Sequence, residues 1–256
     1  MSKINTKLIL KKVYIICTLC IFFSIKMVAQ TKTLEHANQQ WFQYYNQFKI
    51  NNKYTLFSDL GLRKKNSFEL WSQNLVRVGI GYKLYKNIQG VTGLACFVFY
   101  NNANKLNRLE LRPYQEVLVN YEVGKANVQQ RLRVEARFFN QIKDNRYTDS
   151  NNFNFRFRYR VNITIPLLSL SEKHKEKKLL LNIGDELFIN AGKQIVYNMI
   201  DYNRLLIGPA VRFNKNWLVS LIYSYQFGQE NKPALYKQSD VVWMAVTHNI
   251  QSRNVK

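Results

Sequence analysis

Cysteine is almost absent from the body of this chain. Of its three cysteines, Cys17 and Cys20 lie in an apolar N-terminal run, and only Cys96 lies beyond it. One cysteine forms no internal disulfide, so stability has to come from a large buried surface, which a chain of this length can supply. Histidine is equally scarce. His36, His174 and His248 are widely spaced, and no cluster of cysteines or carboxylates accompanies them at ligand spacing, so no metal is expected. No glycine-rich phosphate cradle occurs either. No catalytic residue and no cofactor are expected. After the first thirty residues no segment shows a helical period, and no linker divides the chain.

The N-terminus is of another kind. Lys3, Lys7, Lys11 and Lys12 precede the apolar run VYIICTLCIFFSI, followed by KMVAQ. That pattern predicts a secretory signal peptide over residues 1–30, leaving residues 31–256 as a single domain. The apolar run is shorter than the ~20 residues that a spanning helix needs. Removing residues 1–30 takes away five lysines and no acid, leaving 33 basic against 16 acidic residues and a net charge of +17. Such a product attracts nucleic acid, anionic lipid or sugar, or small anions.

What the body does contain is alternation. In NFNFRFRYRVNITIP, Phe153, Phe155, Phe157, Tyr159, Val161, Ile163 and Ile165 are apolar, and Arg156, Arg158 and Arg160 fall between them. Successive strand side chains point to opposite faces, so this is a strand with one greasy and one basic face. Eleven such runs are expected, at residues 40–50, 54–63, 75–84, 90–100, 108–123, 127–140, 153–165, 179–189, 204–213, 217–227 and 241–250. Short turns and longer polar loops alternate between them, as in an up-and-down antiparallel sheet. The segment SEKHKEKK is the exception, being long where a short turn is due.

One hairpin tests the register. In RLELRPYQEVLVNYEV the polar residues Arg108, Glu110, Arg112 and Glu116 are even-numbered. In NVQQRLRVEARFF the polar residues Arg131, Arg133, Glu135 and Arg137 are odd-numbered. A two-residue loop at Gly124–Lys125 pairs Val123 with Ala126 and therefore Glu116 with Arg133, so both charged sets share one face. Gly124 suits the first position of a II′ turn.

Alternation alone does not say which face is inside. A soluble sheet would bury the apolar residues; a membrane barrel would turn them to lipid and close the arginines into a lumen. Strand lengths near the ~9–11 residues of a tilted spanning strand favour the barrel. So do aromatics near strand ends, such as Tyr54, Tyr82, Trp217 and Tyr223, and the mixing of Arg with Glu on the other face.

The segments GIGYKLYKNIQGVTGLACFVF, GDELFIN and DYNRLLIGPAVRFNKNWLVSLIYSYQFGQ resemble the family called domain of unknown function 2490, found mainly in Bacteroidota. The resemblance implies an exported outer-membrane β-barrel and assigns no activity. Pro209 departs from the family pattern, and a bulge or a missing ladder bond is expected there.

The expectation is thus an all-β, antiparallel up-and-down transmembrane barrel in the outer membrane. It has ten to twelve strands, with twelve favoured on parity if residues 31–38 or 67–71 supply one more. Arg108, Glu110, Arg112, Glu116, Arg131, Arg133, Glu135, Arg137, Arg156, Arg158 and Arg160 would line its lumen, either to contact anions or as a salt-bridged plug. The partners would be outer-membrane lipid and small anionic solutes. Nucleic acid is not one, because aromatics and arginines occupy opposite faces and bases could not stack beside phosphate contacts. The function would be a narrow, weakly anion-selective channel or a structural surface protein, without enzymatic activity. One alternative is a membrane-embedded lipid-modifying hydrolase using His248, and another is a soluble periplasmic β-protein that binds anions.

Overall fold

The period-two pattern dictates strands, and the described residues contain no helix. The computed structural model describes residues 32–144, 146–148 and 152–252. The signal peptide expected at residues 1–30 lies outside the described residues. In chain order the strands are β1 (Thr33–Lys49), β2 (Tyr54–Lys65), β3 (Leu70–Lys83), β4 (Ile88–Tyr100), β5 (Leu106–Val123) and β6 (Ala126–Lys143). They continue with β7 (Arg146–Tyr147), β8 (Asn152–Ser169), β9 (Lys178–Ala191), β10 (Ile200–Arg212), β11 (Trp217–Gln229) and β12 (Leu235–Gln251).

Eleven of them form one sheet in the order β5-β4-β3-β2-β1-β12-β11-β10-β9-β8-β6, and pairing of β5 with β6 closes it into a barrel. The two-residue β7 pairs only with the end of β6. Neighbours are antiparallel except at one seam, where β1 and β12 run parallel from Thr33 opposite Leu235 to Lys49 opposite Gln251.

That seam corrects the expected count of twelve. Strands that alternate in direction around an odd ring must meet in parallel once, and this ring closes that way. Thr33–Asn38 opens β1 instead of making a separate strand, and only Leu70 and Trp71 of the 67–71 segment are strand, opening β3. The parallel register is fixed by side-chain parity. Trp41 lies opposite Trp243 with both indoles inside, edge to face at 5.4 Å. A one-residue slip would turn Trp41, Gln43 and Tyr45 outward.

The β5–β6 hairpin matches its expected register, with Val123 opposite Ala126 and Glu116 opposite Arg133. Gly124 has φ 59°, while Lys125 is not among the positive-φ residues, as a II′ turn requires. At Pro209 the ladder to β9 is continuous. The ladder to β11 skips from Ile207 to Ala210 without a change of register. The expected missing bond is there, and no bulge is needed.

Alternating strands place five connections at each end. The turn end carries residues 50–53, 84–87, 124–125, 170–177 and 213–216; the loop end carries 66–69, 101–105, 192–199, 230–234 and the connection from β6 to β8. Every connection at the turn end contains lysine: Lys53, Lys86, Lys125, Lys215, and Lys173, Lys175 and Lys177 in the long one. The loop end mixes signs, with Glu69, Lys105, Lys193, Glu230 and Lys232.

The two faces divide by chemistry. Outward leucines such as Leu60 and Leu132 are 53% and 52% exposed, whereas inward Glu110 and Glu186 are 0% and 1% exposed. Outward aromatics gather near both ends. Tyr54 packs on Tyr82 and Trp217 stacks on His248 at the turn end. Phe138 packs on Phe153 and Phe227 stacks on Tyr236 at the loop end.

Candidate functional site

The lumen is where chemistry concentrates, and strand register explains its arrangement. On β6 and β8, Arg131 lies opposite Arg160, Arg133 opposite Arg158, and Glu135 opposite Arg156. Like charges directly opposed across a ladder repel. Relief comes from carboxylates on flanking strands, and three fully enclosed glutamates act as hubs.

Glu110 accepts a bond from Arg112, another from Arg137 at 3.1 Å, and an ion pair with Arg108 at 3.0 Å. Glu135 accepts from Arg158 at 2.6 Å and pairs with Arg133 and Arg112 at 3.5 and 3.6 Å. Glu186 accepts from Arg131 at 2.5 Å and Arg158 at 2.7 Å, with Arg204 at 3.4 Å. Glu116 accepts from Arg133 at 2.6 Å. Glu110 and Glu135 serve arginines of their own and neighbouring strands, and Glu186 serves arginines of β6, β8 and β10, so the network cross-braces β5, β6, β8, β9 and β10. Guanidinium groups suit this, because their planar array of donors reaches several carboxylates at once.

All eleven residues expected to line the lumen lie on this inward face. Glu110, Arg112, Arg131, Arg133, Glu135, Arg137, Arg156 and Arg158 are buried, while Arg108 is 30% exposed in its side chain. Arg160 differs from the rest. Its hydrogen bond goes to Gln129 at 3.1 Å, and no carboxylate pairs with it among the described residues.

Beyond the eleven expected residues, the lumen holds Glu186 and five further charges. Arg77 pairs with Asp59 at 3.6 Å, and Gln43 donates to Asp59 at 2.7 Å. Arg156 pairs with Asp201 at 2.6 Å. Arg63 lies over the Trp41 ring at 3.7 Å, and Arg204 lies 5.0 Å from the same ring. Each of Arg63, Arg77 and Arg204 follows the period-two pattern of its strand. Arg77 is a single charge between two valines, Arg204 follows Asn203, and Arg63 is followed by Lys64 and Lys65, so none belongs to an alternating charged run. Asp201 sits at the start of β10, where alternation is weakest.

Away from its loop-end mouth, the lumen opposes Arg63, Arg77, Arg204 and the eight expected arginines to Asp59, Glu110, Glu116, Glu135, Glu186 and Asp201 among the described residues. Cations are in clear excess. The opposite wall carries an apolar cluster, Trp41, Leu206, Val241, Trp243 and Ala245 packed together on β1, β10 and β12, beside uncharged polar residues such as Gln43, Ser220 and Ser239. Between the two walls runs a cavity of about 820 Å³. Its lining reaches from Glu230 and Lys237 at the loop end to Thr164 and Asn249 at the turn end. The brace therefore occupies one side of the lumen without filling it.

Outside the lumen, Asp185 faces outward, as its parity requires, and accepts a bond from Asn203 at 2.8 Å. His248 also faces outward. Its Nδ1 is 2.8 Å from the Tyr44 hydroxyl, and its ring stacks on Trp217 with centroids 3.8 Å apart. No serine or carboxylate is in hydrogen-bond contact with it among the described residues. No group of three or more histidine, cysteine or acidic side chains there could hold a metal ion.

A family model described as Protein of unknown function (DUF2490) matches residues 38–237. The chain belongs to that family. The match begins within β1 and ends within β12, so it spans the whole ring of strands. No curated protein and no solved structure matches the chain.

Proposed function

We propose that this family member is an outer-membrane β-barrel without enzymatic activity, whose lumen is a narrow, weakly anion-selective channel. Reversed polarity carries the reading: a closed barrel with hydrocarbon side chains outside and paired charges inside. In water such an outer face would be an apolar patch far beyond the few hundred Å² usual on soluble monomers. In a bilayer it is the expected surface, and strands of 12–18 residues are long enough to cross at a tilt. The aromatic bands at both ends fit the two interfaces, with His248 among them.

The channel reading rests on the cavity and on the arginine excess. Barrels of about 8 strands are filled by their side chains and those of about 16 hold water, so eleven strands leave room for a narrow path. A lumen with surplus cations raises the local concentration of anions. Membrane lipid and small anionic solutes are the partners this surface fits.

Planar-bilayer recording under a salt gradient tests the proposal. The reversal potential should report a preference for chloride over potassium, and Arg160→Glu together with Arg63→Glu should abolish or invert it. Insertion without conductance would leave only a structural barrel. A chain that stays soluble on membrane fractionation would sink the whole reading.

A further inference from the structure

One guanidinium of the lumen is left without a counter-charge. Arg63 joins no ion pair among the described residues, and its Nε is buried without an acceptor. Pairing of β2 with β1 sets it opposite Trp41, and its guanidinium carbon lies 3.7 Å from the centre of that ring. An indole face attracts and orients a guanidinium but carries no net charge to neutralise it. Arg160 also lacks a carboxylate, yet it bonds to Gln129.

Two more donors beside the same ring are unanswered. The Arg204 guanidinium carbon is 5.0 Å from it. Arg204 reaches Glu186 only at 3.4 Å, since Arg131 and Arg158 hold that carboxylate at shorter range, and its Nε has no acceptor. Trp243, edge to face with Trp41 at 5.4 Å, buries its Nε1 without an acceptor. Arg204 and Trp243 are 4% and 6% exposed, so bulk solvent does not screen them. Buried donors left unpaired cost stability. These come from β2, β10 and β12 and converge where the chain supplies no spare acceptor.

Arg63, Arg204 and Trp243 line the lumen cavity together with Leu206 and Ile222, which pack with Trp41. A single uncompensated guanidinium calls for one negative charge, and its planar fork matches the two oxygens of a carboxylate. The apolar side chains beside it call for a hydrocarbon body. Chloride would answer the charge and leave that wall to water. A neutral solute would leave the guanidinium unpaired.

We infer that the loop-end half of the lumen holds a binding site for a small monocarboxylic acid with an apolar body. Its carboxylate bonds to Arg63 beside the Arg204 charge and the Trp243 N–H, and its hydrocarbon lies along Leu206 and Ile222. The inference rests on the reading of the lumen as an anion path and names the class of solute that path selects.

Isothermal titration calorimetry of the detergent-folded full chain tests the site. The probes are hexanoate, its neutral amide hexanamide, acetate and chloride. Hexanoate should bind saturably, about tenfold tighter than acetate for its buried chain and about tenfold tighter than hexanamide for its charge. An equal concentration of chloride should not displace it. Arg63→Gln should bring hexanoate down to the level of hexanamide, and no carboxylate loses a partner by that change. Ile222→Ala should weaken hexanoate several-fold and leave acetate as it was. Heat-modifiable gel mobility should show both variants folded. Equal binding of hexanoate and hexanamide overturns the site, as does hexanoate binding that survives Arg63→Gln. Displacement by equimolar chloride overturns the solute class. Planar-bilayer conductance without saturable hexanoate binding overturns the site and leaves the channel standing. Hexanoate binding to a barrel that conducts nothing upholds the site and removes the channel.

Discussion

Replacing Glu186 with glutamine perturbs the lumen at its best-defined hub. Its carboxylate is 1% exposed and serves Arg131 at 2.5 Å, Arg158 at 2.7 Å and Arg204 at 3.4 Å. Glutamine keeps the shape but removes the charge and turns an NH2 donor towards guanidinium donors. Arg158 retains Glu135 at 2.6 Å, while Arg131 falls back on Glu116 at 3.9 Å and Arg204 keeps no ion pair. Removing one partner of a buried ion pair costs about 3–5 kcal/mol, because the remaining charge stays desolvated. We expect a loss in that range for Glu186→Gln. Urea unfolding of the refolded barrel in lipid vesicles, followed by tryptophan fluorescence, would show it as a lower midpoint at unchanged slope. Asp185→Asn, one residue away on the opposite face, should change stability by no more than about 0.5 kcal/mol. A loss below about 1 kcal/mol for Glu186→Gln would refute the reasoning. It is the value of a water-screened surface pair, and it would mean that the network braces nothing.

Three further outcomes follow from the same geometry. Arg160→Gln should leave stability unchanged or raise it by up to about 1 kcal/mol, since Arg160 opposes Arg131 and has no carboxylate; a clear loss in the same urea assay would show that its bond to Gln129 matters more than the repulsion. Gly208→Ala should cost about 1–3 kcal/mol or block folding, because its Cβ would press on the Leu221 carbonyl of β11; heat-modifiable mobility reads this directly. Trp41→Ala should cost about 3–5 kcal/mol, as the indole is 2% exposed, packs on Trp243 and carries Arg63 on its face; a smaller loss would mean that the parallel seam does not depend on that pair.

Much of the lumen was legible because its charges come in runs. Arg131, Arg133, Glu135 and Arg137 alternate with apolar residues over one strand, and Arg156, Arg158 and Arg160 over another, so parity assigned their face before any partner was known. The hairpin at Gly124 carried that parity from β5 to β6. Isolated charges were harder to see. Arg63 and Arg77 fall outside any alternating charged run, and only the strand pairing shows that Arg77 lies opposite Asp59 and Arg63 opposite Trp41. Glu186 has the inward parity of β9, yet its role as the hub for Arg131, Arg158 and Arg204 depends on strands far apart in the chain. The strand count was misjudged for a related reason. Eleven runs were legible, and twelve was favoured only because an all-antiparallel ring needs an even number, whereas this ring closes through one parallel pair.

The sequence by itself determined that this protein is a sheet with one apolar and one charged face, because a period of two admits nothing else. It also determined local registers, where a tight turn leaves only one alignment. The tertiary structure decided which strands meet across the closure, that β1 and β12 run parallel, and which carboxylate serves which arginine. Those are contacts between residues far apart in the chain. Their pairing depends on how many strands complete the ring and how far each is displaced along its neighbour, and alternation along a single strand does not encode either quantity.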